Sequence, residues 1–144
     1  MREILFKAKR IDNGEWVEGF VFNDGIIDSK RMFVGMLVIT DYKGTANDRW
    51  DVGTYFYEVD PSTICQYTGL CDKNGRKIWE NDLLDCQDRI TVVKWNVPCG
   101  TWDSIFVRYK GQLCSNGINV AEWKYRAEVI GNRFDNLNLL EGGN

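Results

Sequence analysis

The densest set of groups able to do chemistry in this 144-residue chain is a carboxylate cluster, Glu80, Asp82 and Asp85, set among apolar residues. Such a cluster could hold Mg²⁺, or divide into a general acid and a general base. Asp82, however, stands in an Asn81-Asp82 turn, where its side chain can accept backbone N–H bonds. Asp85, beyond Leu83-Leu84, is expected to face solvent. The chain has no histidine. That removes Ser-His-Asp and Cys-His nucleophile pairs, imidazole acid–base work near neutral pH and imidazole metal sites together. The five cysteines, Cys65, Cys71, Cys86, Cys99 and Cys114, contain no Cys-x-x-Cys pair. They read as small buried hydrophobes in a reducing compartment, not as a zinc site or a disulfide framework. Asp72-Lys73-Asn74-Gly75-Arg76-Lys77 has the look of a phosphate loop, but a single glycine leads into strand-like Ile78-Trp79, so a hairpin is expected. No catalytic residue, metal ligand or cofactor site is assigned.

Six tryptophans with nearby cations (Lys7, Lys9, Arg10; Arg76, Lys77; Lys94) could stack single-stranded nucleic acid. The charge argues against it. Net charge is −3 and the sequence pI is about 5.0. Residues 1–65 hold 8 basic and 11 acidic groups, and residues 66–144 hold 10 of each. Phosphate binding draws its affinity from a basic face, and neither half is basic. Trp16, Trp95 and Trp102 are instead expected to fill the interior.

The elements that would place these residues are strands. Aromatic and β-branched residues alternate, with few prolines between them. Ile4, Phe6 and Ala8 share one strand face. Asn13-Gly14 then makes a hairpin, because both residues accept positive φ, and Trp16–Phe22 returns. Asn23-Asp24-Gly25 turns again, and Ile26-Ile27 begins another run. Residues 3–40 therefore read as a β-meander. Residues 41–55 read as a loop, and Asp60-Pro61-Ser62-Thr63 breaks the chain, with Asp60 or Ser62 capping one turn. Short strands follow around 77–80, 83–86, 89–95 and 101–109. A return over 112–114, a last strand over 127–134 and a helical turn over 135–140 complete the chain. Five or so strands in about 70 residues suit a small barrel. No stretch approaches the roughly 20 apolar residues of a membrane helix, and the N-terminal segment lacks a signal-peptide pattern. A cytoplasmic protein is expected.

The string from Gln66 to Leu84, QYTGLCDKNGRKIWENDLL, resembles the signature of the YopX family of phage and prophage proteins. So do Glu128 to Leu140 (EVIGNRFDNLNLL), Val92-Val93-Lys94-Trp95 and the opening Ile4–Ala8. The signature positions Tyr67, Gly69, Leu70, Asp72, Gly75, Trp79, Glu80, Asp82, Trp95, Val129, Ile130, Gly131 and Asn132 read as structural. The family commonly has Gly where this chain has Asn81, the residue next most tolerant of left-handed backbone. It often has Pro and an acid in the terminal segment, where this chain reads Asn136-Leu137-Asn138-Leu139-Leu140. The resemblance implies a phage or prophage origin, a β-rich fold with a separable C-terminal part, and no reaction.

The expected protein is mostly β. Residues 1–63 form a β-meander module, and residues 64–144 form an SH3-like, partly open barrel ending in a short helical turn. The expected function is a non-enzymatic phage accessory role through protein binding or homo-oligomerisation. Single-stranded nucleic-acid binding is the alternative. A metal-dependent enzyme using Glu80, Asp82 and Asp85 is the third reading.

Overall fold

The computed structural model describes residues 2–42, 50–87, 89–109, 117–119 and 126–140. The chain is mostly β, and it divides into two compact units: Ile4–Ile64, and Met1–Glu3 together with Cys65–Asn144.

In the first unit, β1 (Phe6–Lys9), β2 (Trp16–Asn23), β3 (Met32–Tyr42) and β4 (Trp50–Val59) pair antiparallel in sequence order. The β1–β2 turn forms as its residues dictate. Gly14 sits at φ 72°, and Asn13 Oδ1 accepts the Glu15 N–H at 2.9 Å. After Asn23-Asp24-Gly25 the sequence reading fails. Ile26 and Ile27 start no strand; they lie exposed in a loop where Asp24 accepts the Ile26 N–H and the Ser29 hydroxyl. The expected loop over 41–55 is also shorter, since β3 runs to Tyr42 and β4 begins at Trp50; residues 43–49 lie outside the described residues. The ends of β1 and β4 meet. Arg10 bridges Val59, Ile11 N–H donates to Glu58 O at 3.1 Å, and Asp60 N–H donates to Lys9 O at 2.9 Å. The 3₁₀ turn Pro61–Thr63 locks this corner: Asp60 caps it, and Thr63 Oγ1 accepts the Lys9 N–H at 2.9 Å. The curled sheet encloses a small core of Ala8, Val34 and Val59, with Val17, Val21, Met32 and Ile64 packed against it.

In the second unit, β5 (Cys65–Cys71) pairs with β6 (Lys77–Trp79). A separate antiparallel sheet comprises β7 (Asp82–Asp85), β8 (Arg89–Asn96), β9 (Thr101–Tyr109), β10 (Gly117–Asn119) and β11 (Glu128–Asn132), in the order β10-β9-β8-β7-β11. The barrel expectation is corrected here: this is an open sheet. Closure requires the two outer strands to pair along a staggered register. β10 has only three residues, and β11 is interrupted by a bulge between Val129 and Gly131. Ile78, Leu84, Cys86, Val93, Trp102, Ala127 and Val129 form the core, with Leu70 against it. The expected return over 112–114 lies outside the described residues. The terminal helical turn is present as α1 (Leu137–Leu140).

The tryptophan-filled interior holds only in part. Trp79 and Trp102 are buried, but Trp95 is 42% exposed and stacks edge-on against Trp102. Trp16 lies half-buried on the outer face of β2, beneath Lys7 and Lys9.

Candidate functional site

The carboxylates singled out from the sequence are mostly consumed by the backbone. Asp72 is buried at the β5–β6 bend. Its Oδ1 accepts the N–H groups of Asn74 and Arg76, and its Oδ2 accepts the Val129 N–H, each at 2.9 Å. Burial opposes its ionisation, but these three donors outweigh burial and hold its carboxyl below the usual range. Gly75, at φ 81°, lets the bend close, and Lys73 N–H donates to Ala127 O at 3.1 Å. Asp72 thus ties the signature bend to β11, which follows 57 residues later.

Asp82, 2% exposed, accepts the Trp79 N–H at 2.8 Å. Asn81 takes φ 67°. Its backbone bridges β8 and the segment after β11, with N–H to Val93 O at 2.9 Å and O from Arg133 N–H at 3.0 Å. Its side chain accepts Lys94 Nζ and donates to Cys65 Sγ at 3.5 Å. Burial, then the nearby Arg133 guanidinium, push the Lys94 ammonium below its ordinary pKa. Glu80 accepts the Gln66 N–H at 3.4 Å. Asp85 is half-buried, with Oδ1 enclosed and unpartnered, so it does not face solvent as expected. Its alternation with buried Leu84 is offset by β11, whose Glu128 lies directly opposite. Among the described residues no group of three or more acidic or cysteine side chains could hold a metal ion.

The remaining signature positions serve the same bends. Tyr67 packs on Trp79 with ring centroids 5.5 Å apart. Burial, then the Cys71 thiol 3.5 Å from its hydroxyl, push the Tyr67 phenol up to about 12. Gly69 takes a left-handed φ of 84°, while Leu70 supports the core. Val129 is buried and Ile130 half-buried. Gly131 admits the Asn136 amide, and Asn132 caps the final turn by accepting the Phe134 and Asp135 N–H groups at 2.9 Å.

Among the described residues, an exposed apolar surface lies on the first unit. Register puts Phe20 opposite Gly35, Gly35 opposite Phe56, and Phe22 opposite Phe33. Alternation therefore sends these side chains outward, away from Val17, Val21 and Val34. A Cβ on Gly35 would overlap the Tyr55 carbonyl oxygen and Phe56 Cβ. Its absence lets Phe56 lean across β3. The Phe22, Phe33 and Phe56 rings consequently form one cluster, with centroids 5.5 to 6.2 Å apart. Phe20, Phe22 and Phe56 remain 53%, 41% and 48% exposed. Charged residues of both signs flank the cluster. Arg31 lies over Phe33 and pairs with Glu58 at 2.9 Å, and Lys7 and Lys9 stand over Trp16.

Val17, Val34, Met36, Tyr55 and Tyr57, together with Glu18, line a shallow, mostly apolar hollow of about 220 Å³. Sequence reasoning did not single out these phenylalanines. The signal was present in Trp16-Val17-Glu18-Gly19-Phe20-Val21-Phe22, a strand apolar on both faces where a half-buried one would alternate.

Compared with known families, residues 6–141 match the model of the family described as YopX protein. No curated protein matches the chain.

Proposed function

The chain belongs to the YopX protein family, and from that premise and the geometry above we propose a non-enzymatic phage or prophage accessory protein that works by protein–protein contact. The observation that carries this reading is the clustered, half-exposed phenylalanine surface of β2–β4. Apolar centres rimmed by charges of both signs are the anatomy of protein interfaces. Of the signature carboxylates, Asp72 spends both oxygens and Asp82 its Oδ2 on backbone N–H groups, which supports a structural part for them. No helix among the described residues is long and apolar enough to cross a membrane, and a cytoplasmic setting in the bacterial host accords with the free thiols of the four cysteines among the described residues.

The test compares wild type with Phe20→Ser/Phe22→Ser in extracts of cells carrying the native element. The tagged wild-type chain should elute above its own 16.7 kDa, and the double variant should not. Identical elution at monomer size for both would sink the reading.

Single-stranded nucleic acid is a second reading, favoured by the two lysines over Trp16. It requires binding whose log–log salt dependence has a negative slope.

A further inference from the structure

β3 spans 11 residues, but β2 covers only its start. The β2–β3 ladder runs from Asn23↔Met32 to Phe20↔Gly35 and stops; the next residue of β2, Gly19, pairs with Phe6 of β1 instead. From Met36 onward β3 pairs with β4 alone among the described residues, Met36↔Tyr55 through Tyr42↔Trp50. The fork where β2 departs is open. Val17 and Glu18 on one side and Gly35 and Met36 on the other line the hollow of about 220 Å³. A two-stranded ribbon is marginal in water, and a third strand is what it needs.

The unpaired edge of β3 is bounded at both ends. Phe20 takes the place opposite Gly35, and the ladder with β4 slips between Ile39 and Asp41, where a bulge bends the strand. Between these limits lies Met36-Leu37-Val38-Ile39-Thr40, with no charged residue and no proline. Charges and prolines are what blunt native edges. β4, on the other side of the ribbon, carries Asp51 and Glu58.

We propose that this edge pairs with the same edge of a second copy, antiparallel about a two-fold axis at Val38. Val38 then faces its counterpart, Leu37 faces Ile39, and Met36 faces Thr40. The bounds of the edge select this occupant. A strand seated there must be unpaired along one side from end to end, and must leave the ladder at both limits. The antiparallel copy does so by symmetry: its Thr40, where its own register slips, arrives opposite Met36, where β2 blocks further pairing. One contact fills both edges and turns two ribbons into one four-stranded sheet. The interface is isologous and closes at dimer. So short a ladder is small for an interface, so the association is weak and driven by concentration. At the dilution of an extract the dimer dissociates, and it is separate from any partner held by the phenylalanine surface.

The experiment follows the purified full chain by light scattering over a hundredfold range of concentration. Wild type should rise from 16.7 kDa to twice that mass and stop. Val38→Lys and Val38→Glu each set like charges about 5 Å apart across the axis, and each alone should stay monomeric. Their equimolar mixture should recover dimer, since opposite charges then meet. Purified Phe20→Ser/Phe22→Ser should dimerise as wild type does. Far-UV circular dichroism checks folding. If the charged variants unfold, Val38→Cys replaces them: mild oxidation should link it into a covalent dimer, and Met36→Cys, two residues off the axis, should give no more than the wild-type background.

A monomeric wild type overturns the inference. So do growth past dimer, a dimer that survives Val38→Lys, a mixture that restores nothing, and Val38→Cys that links no better than Met36→Cys. Loss of the purified dimer in Phe20→Ser/Phe22→Ser also overturns it, and assigns self-association to the phenylalanine surface. An extract complex that depends on Phe20 and Phe22 beside a monomeric purified chain leaves the contact site standing without this edge. The Val38 pattern without an extract complex leaves the edge standing without the contact site.

Discussion

Replacing Asp72 by Asn separates a bend-forming carboxylate from a reactive one. Asn keeps Oδ1 as an acceptor for Asn74 and Arg76. At the other position it either presents an NH₂ to the buried Val129 N–H, now accepted at 2.9 Å by Oδ2, or flips and abandons the bend. Either way one buried donor loses its acceptor and the charge assistance disappears. An orphaned buried N–H costs about 1–3 kcal/mol, and a hydrogen bond to a charged group contributes about 1.5–3 kcal/mol. These overlap, so the expected loss is about 3 kcal/mol. With a urea m-value of about 2 kcal/mol/M, the midpoint should fall by about 1.5 M at unchanged m. Tryptophan fluorescence reports it, because Trp79 and Trp102 lie buried in the same unit. The pH dependence adds a sign. The Asp72 carboxyl titrates lower folded than unfolded, so its contribution is complete above the unfolded value of about 3.9 and is lost as pH falls through the folded value. The gap between wild type and Asp72→Asn should therefore be full at neutral pH and shrink below about pH 4. The other low-titrating acids are common to both proteins. A catalytic carboxylate behaves in the opposite sense, since its removal relieves strain and tends to stabilise. A variant as stable as wild type, or a gap independent of pH, would refute the structural assignment.

Gly35→Ala should destabilise the first unit by about 3 kcal/mol, since the added methyl meets backbone as well as Phe56 Cβ and forces β3 and β4 apart. Thermal unfolding measures it, and a cost under about 0.5 kcal/mol would show that Phe56 does not depend on the gap. Asn81→Ala should cost about 2 kcal/mol, combining a left-handed backbone at φ 67° with the loss of the Lys94 and Cys65 contacts. Asn81→Gly, which relieves the backbone but not the contacts, should cost about 1 kcal/mol less than Ala; equal melting temperatures for the two would remove the conformational argument.

What the sequence made legible was local chemistry. Asn13-Gly14 turns because both residues accept positive φ, Asp60 caps its 3₁₀ turn, and Asp72-Lys73-Asn74-Gly75 bends. These depend on residues within four positions of one another. The misses involve partners far apart. Asp41 and Asp51 pair across β3 and β4 although their types favour turns, because the ladder begun at Met32 and Val59 carries through them. Asp72 finds Val129 57 residues away, a link that no spacing rule reveals. Barrel closure failed for the same reason, since it turns on whether β10 and β11 meet and not on how many strands precede them. The candidate site was hidden more subtly. Period-two alternation sorts β2 into a valine face and a phenylalanine face, but when both are apolar it does not say which is inside. That choice is made where Arg10 meets Val59: the corner curls the sheet around Ala8, Val34 and Val59, and the larger rings are left outside. By transfer energy alone the phenylalanines should have claimed the interior, since each buries more apolar area than a valine. A core closed by Ala8 and the Gly19–Gly35 close approach has no volume for them. The exposed rings are therefore a consequence of the tight curl, and the surface they form is available for a partner to bury.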